Sequence, residues 1–206
     1  MMKIWGRTNS SNVKKVLWAA EELGLAYERV DAGGAFGVVN EPAYRALNPN
    51  GLVPTVEDDG LILWESNAVV RYLSAKYGPD KFGPADIGAR ASADKWMDWA
   101  SGVFSPHFRD VFWTMVRTPP EQRDMAKVEA GVMAAVKVLQ MVEATLAKQP
   151  YLSGEACGIG DVPLGSSIYA WFSMDIERPP MPALEAWYDR LTQRQAYRKA
   201  VMIPLT

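Results

Sequence analysis

Two short runs in this chain carry residue types that could receive a small peptide. The first reads Asn48-Pro49-Asn50-Gly51-Leu52-Val53-Pro54 and continues through Thr55, Asp59-Gly60 and Trp64 to Glu65-Ser66-Asn67. It parses as a turn, a strand entered through Pro54, a hairpin reversing at Asp59-Gly60, and a helix beginning at Ser66. A strand entered through proline would leave the Val53 amide and carbonyl free, and an extended peptide needs such a pair of main-chain partners. A cis Val53-Pro54 bond would turn that pair outward from the sheet. The following helix start offers unpaired amides and a serine hydroxyl to a carboxylate. The second run, Arg7-Thr8-Asn9-Ser10-Ser11-Asn12, stands just ahead of an apolar-periodic segment, and its short hydroxyl and amide side chains first of all signal a helix cap.

The elements that must position these runs differ between the two parts of the chain. Residues 1–78 alternate strand and helix signals, the pattern of a small α/β domain. Lys3 to Gly6 is a short strand; Val13, Val16, Leu17, Ala20 and Leu23 then recur at helical spacing until Gly24. Tyr27 to Val30 reads as a second strand, Pro42 to Leu47 as a short helix, and Ser66 to Tyr77 as a third helix after the hairpin. Residues 79–86, with Pro79, Asp80, Gly83, Pro84 and Asp86, read as a linker. From 87 to 206 every strong signal is helical: Met125, Val128, Val132, Ala135, Leu139, Val142 and Leu146 form one long stripe, with further helices over 87–117, 161–173, 183–193 and 195–201. The expected fold class is therefore α/β plus all-α, with the α/β order βαβαββα. Pro106 falls inside the first long helix and should bend it beside Phe104, Phe108, Phe112 and Trp113.

Composition narrows the function. With 206 residues and 49% hydrophobic content the chain can bury a sizeable core, and its net charge of -2 gives no reason to expect nucleic acid or an anionic membrane as a partner. No stretch approaches the roughly 18 apolar residues of a spanning helix, and the first residues lack a signal-peptide pattern, so a cytoplasmic protein is expected. A single cysteine, Cys157, removes any Cys-x-x-Cys redox centre, and a single histidine, His107, leaves no multi-histidine metal site, so no metal is predicted.

Asn-Pro-x-Gly-x-Val-Pro, followed about ten residues later by Glu-Ser-x-Ala-Val-x-Arg-Tyr-Leu, resembles the glutathione-binding half of the glutathione S-transferase family. The resemblance extends from the Lys3-Ile4-Trp5-Gly6 strand to the closing Leu184-Glu185-Ala186-Trp187-Tyr188 helix and implies a thioredoxin-like N-terminal domain followed by an all-helical one. It implies conjugation of reduced glutathione, the co-substrate, to a small apolar electrophile, with no tightly bound cofactor and with a homodimer as the assembly. Glutathione-dependent peroxide reduction or isomerisation, and a non-catalytic ligand- or protein-binding role, are the alternatives on the same fold. Val53, Pro54, Glu65 and Ser66 would hold glutathione. In the serine-type branch a loop serine holds the sulfur, and register with the following Val-Lys-Lys-Val matches Ser10, with Ser11 next, then Asn12, and Thr8 also in the loop. A free thiol of pKa about 8.5 is mostly protonated at neutral pH, and lowering that by about two units corresponds to roughly 2.7 kcal/mol in favour of the thiolate. The electrophile pocket would draw on Trp5, Arg7, Phe104, His107, Phe108 and Trp113, with the Pro106 bend shaping its wall.

Four further expectations concern structure. Asp161 follows Gly158 where the family often has Ser or Thr, so the capping box is expected to lack half of its reciprocal pair. Arg190, Arg194 and Arg198 read as a solvated helix face. Trp5, Trp18, Trp64, Trp96 and Trp99 read as core, and Cys157 as a passive thiol.

Overall fold

A computed structural model describes residues 1–206. Strands β1 (Met2–Trp5), β2 (Tyr27–Val30), β3 (Thr55–Asp58) and β4 (Leu61–Trp64) form one sheet in the order β2-β1-β3-β4. β1 runs parallel to β2, with Ile4 opposite Arg29, and antiparallel to β3, with Ile4 opposite Val56. The β3–β4 hairpin closes at Asp59 and Gly60, both with positive φ, as a two-residue reversal requires. Helices α1 (Ser11–Glu22), α2 (Pro42–Leu47) and α3 (Ser66–Tyr77) complete the expected order βαβαββα. α1 buries Val13, Val16, Leu17 and Ala20 and ends where Gly24 takes a φ of +64°, a left-handed turn that glycine adopts freely. The segment after α3 is anchored by the buried ring of Phe82, whose carbonyl accepts the Ser74 hydroxyl at 3.5 Å.

The remainder is helical. α4 (Ile87–Trp99) passes through a wide π turn at Ala100–Phe104 into α5 (Ser105–Phe112), which runs on through a second π segment, Trp113–Arg117. The first π turn ends two residues before Pro106. Proline clashes with the preceding turn and supplies no amide, and a locally widened helix accommodates both defects; the Ser105 hydroxyl further donates to the Ala100 carbonyl at 2.8 Å. α6 (Met125–Leu146), α7 (Val162–Ser173), α8 (Pro182–Thr192) and α9 (Gln195–Ala200) follow. The α6 stripe is buried from Val128 to Leu146, while Met125, its first expected member, is exposed at the helix start. No helix is long and apolar enough to cross a membrane.

One continuous apolar core joins the two parts through α1, which packs on α3 on one side and on α7 and α9 on the other. Close approach is made possible by Gly165, where a Cβ would come within 2.6 Å of the Trp18 ring. Trp18 stands edge-on to Tyr197 at 4.8 Å, and the Tyr197 hydroxyl donates to the Gly165 carbonyl at 2.8 Å.

This junction corrects the reading of the arginine series. Arg194 is a bidentate clamp on Glu22 of α1, both contacts at 2.7 Å, and Arg190 reaches the Pro150 carbonyl at 2.7 and 3.1 Å; Arg198 alone of the three is an exposed side chain. The four-residue spacing does not put the three on one face, because the helix breaks between them: Arg190 is in the last turn of α8, Arg194 is the N-cap of α9 and Arg198 lies within α9. The tryptophan expectation holds for Trp18 and Trp96 and is corrected at Trp64. Trp18 and Trp96 are buried, Trp5 and Trp99 are half-buried, and Trp64 is 40% exposed on the outer edge strand β4. Cys157 is buried, and burial pushes its thiol pKa well above the usual value, which keeps it an inert thiol.

Asp161 is fully buried and accepts four N–H groups: Leu152 at 2.8 Å, Ser153 at 3.2 Å, Gly158 at 3.0 Å and the Trp187 indole at 2.8 Å. The missing half of the capping box is supplied from elsewhere in the chain. The Ser153 hydroxyl accepts the Gly160 amide at 3.0 Å, and it fits because a Cβ at Gly158 would crowd it at 3.1 Å.

Candidate active site

Ser10 is the N-cap of α1, with extended backbone, and its Oγ accepts the Val13 amide at 3.5 Å. A hydroxyl carries one donor and two lone pairs, so capping leaves the hydrogen free to donate outward. Ser11, the first helical residue, is exposed and its side chain has no partner. Asn12 accepts a hydrogen bond from the Ser66 hydroxyl, Oγ to Oδ1 3.3 Å, which ties the mouth of α1 to the mouth of α3.

Ser66 is the first residue of α3 and is buried. It does not cap the helix: the cap position is Glu65, at φ +70° and ψ +105° with no side-chain cap bond, so the first-turn amides of Ser66, Asn67 and Ala68 have no acceptor within the chain. A positive φ is costly for a residue with a side chain and persists only where its surroundings impose it. The Glu65 carboxylate is exposed, and its charge raises the pKa of nearby Lys15 while burial, the larger influence, pushes that ammonium down to about 8.

Val53-Pro54 is cis. No hydrogen bond joins the Val53 amide or carbonyl to the rest of the chain. The loop that presents it is held from below by a buried polar cluster. The Leu52 carbonyl accepts Tyr44 Oη at 2.6 Å and Asn48 Nδ2 at 2.9 Å, and both groups also meet Thr55 Oγ1, at 2.8 and 3.1 Å. Asn48 reads from sequence as a turn residue, and nothing in its own stretch marks Tyr44 as a member of the cluster. The one local signal is the pair of polar side chains flanking the turn.

Arg7 links this edge to the α1 mouth. A Cβ at Gly33 would lie 3.3 Å from the Arg7 guanidinium and 3.4 Å from the Val53 methyls, so arginine and valine flank the same glycine. Val53 and Arg7 thus meet at Gly33, and the Ser66–Asn12 contact joins α3 to the loop that carries Arg7 and Ser10.

Behind the α1 mouth opens a cleft of about 360 Å³. Its lining includes Arg7, Ser10, Ser11 and Asn12 on one side, and Pro106, Phe108, Phe112 and Trp113 from the long helix on the other. Of the residues expected at an electrophile pocket, Arg7, Phe108 and Trp113 line the cleft; Trp5, Phe104 and His107 do not. Trp5 donates its indole N–H to Glu57 at 2.6 Å and stands edge-on to Tyr44 within the sheet layer. Phe104 is fully buried in the core, stacked on Phe108 at 5.1 Å, and His107 is exposed on the turn of α5 whose carbonyl approaches Gly131 of α6. Lys14 and Arg117, which no sequence pattern singles out, also line the cleft. No group of three or more His, Cys, Asp and Glu side chains is arranged to hold a metal ion.

Comparison with known proteins follows the same outline. A family model described as "Glutathione S-transferase, N-terminal domain" matches residues 1–75, and one described as "Glutathione S-transferase, C-terminal domain" matches residues 93–195. The chain is 46% identical to glutathione S-transferase GstB of Escherichia coli over 208 aligned residues, covering 100% of both, and 31% identical to glutathione S-transferase 3 of Zea mays, covering 99% of this chain and 95% of that one. Its structure superposes with a TM-score of 0.96, at 55% identity, on the glutathione-bound crystal structure of the theta class glutathione S-transferase from Xanthomonas axonopodis pv. citri, covering 100% and 99% of the two chains.

Proposed function

The chain belongs to the glutathione S-transferase family, and from that premise we propose how its own residues carry out the transfer. Reduced glutathione lies extended along the unpaired main-chain edge of Val53, entered through Pro54. Its γ-glutamyl carboxylate sits on the free amides and hydroxyl of Ser66, and its ammonium group lies against Glu65. Ser10 donates its hydroxyl hydrogen to the sulfur and so favours the thiolate, with Ser11 and Asn12 as the neighbouring donors in the same lining. The electrophile rests its apolar body on Phe108, Phe112 and Trp113. The rate gain comes from the larger thiolate fraction and from holding the two reactants together.

The single observation that carries this reading is the 3.3 Å contact between Ser66 and Asn12. It brings the start of α3, with its free amides, beside the helix start that bears Ser10, and Ser10 and Asn12 line the cleft. Calorimetric titration with glutathione, followed by assays with an aryl halide and an organic hydroperoxide, tests it. Saturable glutathione binding with aryl halide conjugation is the expected result, and failure to bind glutathione ends the reading. Ser66→Ala is expected to weaken glutathione binding about 10-fold or more, the loss of a hydrogen bond of about 1.5–3 kcal/mol to a charged group; identical affinity would remove Ser66 from the site.

We further propose a cytoplasmic homodimer. The edge strand β4 leaves Leu61, Ile62 and Trp64 at 42%, 40% and 40% exposure, and an apolar edge of this kind is normally covered. Sedimentation velocity is expected to give a two-chain species, and Trp64→Glu to shift it toward the monomer; a monomeric unsubstituted protein would refute the pairing.

A further inference from the structure

The walls of the cleft carry a charge pattern that the glutathione site does not use. Arg7, Lys14, Arg109 and Arg117 line it, and no aspartate or glutamate does, although the chain as a whole has a net charge of -2. Arg7 makes no side-chain hydrogen bond or ion pair; its stem lies across Gly34, where a Cβ would come within 3.1 Å of it. Arg117 lies over the Phe112 and Trp113 rings, at 5.9 and 5.6 Å from their centroids, and its Nε is buried without an acceptor. Burial, and then the charge of Arg117, push the Arg7 guanidinium pKa down, so the two cations stand near each other with no anion between them. Lys14 donates to the Val201 carbonyl at 3.0 Å and has no acidic partner, whereas Arg109 pairs with the exposed Asp110 at 3.5 Å.

Like charges held together in a partly buried site are unfavourable unless something supplies the opposite charge. A guanidinium presents a planar fork that matches the two oxygens of a carboxylate, and an aromatic wall beside it suits a flat apolar body. We infer that the second substrate is an electrophile bearing a carboxylate on an aromatic or unsaturated body, the carboxylate held by Arg117 and Arg7 and the body against Phe112 and Trp113. This rests on the transferase reading above. In the aryl halide case the glutathione thiolate attacks the ring carbon that carries chlorine. The C–S bond forms, the C–Cl bond breaks, chloride leaves with the bonding pair, and the carboxylate is unchanged.

The test compares 4-chloro-3,5-dinitrobenzoate with 4-chloro-3,5-dinitrobenzamide at saturating glutathione, each rate normalised to the uncatalysed reaction. The benzoate is expected to show a kcat/KM at least about 10-fold higher, and Arg117→Gln to lower benzoate turnover about 10- to 100-fold with a loss on the amide several-fold smaller, as removal of one charge-assisted contact predicts. Arg117→Lys should recover part of the benzoate preference. Equal turnover of the two substrates, a loss of the same size on both in Arg117→Gln, or a matching rise in KM for glutathione overturns the inference and leaves the transferase reading standing. Absence of glutathione-dependent turnover of both substrates, with no binding of glutathione by calorimetry, overturns that reading and the inference with it.

Discussion

Ser10→Ala is expected to lower kcat/KM for conjugation about 10- to 100-fold at pH 6.5, to change glutathione affinity by less than about threefold, and to regain most of the lost rate above about pH 9.5. The sign follows from what the hydroxyl does. A donor to the sulfur favours the charged form, so its removal raises the thiol pKa of bound glutathione toward its free value; the thiolate fraction falls at low pH and is restored once the pH exceeds the new pKa. A charge-assisted hydrogen bond of about 1.5–3 kcal/mol shifts that pKa by about 1–2 units, which sets the size of the effect. A hydroxyl that only positioned the substrate, or only capped the helix, would give a different curve. Lost positioning lowers the rate at every pH alike. Lost capping costs stability, and since the Ser10 cap bond is long, 3.5 Å to the Val13 amide, that cost is at the low end, about 0.5 kcal/mol. A pH–rate profile of the variant beside Ser11→Ala and Asn12→Ala separates these cases. An unchanged profile in Ser10→Ala with the shift appearing in Ser11→Ala would move the sulfur contact one residue along, to the exposed hydroxyl that α1 leaves without a partner.

Much of this arrangement is legible in the sequence because local rules and tertiary demands agree. The Val53-Pro54 entry, the Asp59-Gly60 reversal and the start of α3 at Ser66 each follow from turn and helix-start chemistry that acts over a few residues. The α6 stripe is legible because burial along one face imposes the helical period. Illegible is which of two equivalent faces a residue takes, and what it meets there. Arg194 and Arg198 have the same spacing and type, yet one clamps Glu22 across the junction and the other is exposed, because the chain breaks between α8 and α9 and sets Arg194 at that break as the α9 N-cap. Phe104 and Phe108 both flank the Pro106 bend and both are buried, but only Phe108 reaches the cleft lining. The Ser66–Asn12 contact spans 54 positions, and the cationic cleft gathers residues from α1, the long helix and α7. Neither leaves a trace in any window of the sequence.

The second large effect is expected at Asp161, far from the sulfur. Asp161→Ala should lose more than about 4 kcal/mol of stability in urea denaturation and yield little soluble protein at 37 °C. Four N–H donors converge on this one carboxylate, from the Leu152, Ser153 and Gly158 amides and the Trp187 indole. Alanine would leave all four donors without this buried acceptor, and an unpaired buried donor costs about 1–3 kcal/mol. Burial already pushes the Asp161 carboxyl pKa above its usual range even with those donors in place, so no other nearby charge offsets its desolvation. Trp187→Phe, which removes one donor and keeps the ring, is expected to cost only about 1–2 kcal/mol, and Asp161→Asn, which keeps the shape but turns an NH₂ toward amide donors, a value between the two. The loss also has a functional route. Asp161 precedes α7, α7 packs on α1 through Gly165 and Trp18, and α1 carries Ser10 at its mouth. Asp161→Asn that remains folded should therefore bind glutathione normally at 10 °C and lose it at temperatures well below the unfolding midpoint of the unsubstituted chain. An Asp161→Ala protein within about 1 kcal/mol of the original stability would mean that the four donors find other acceptors, and would remove the network from any account of how this fold holds its site.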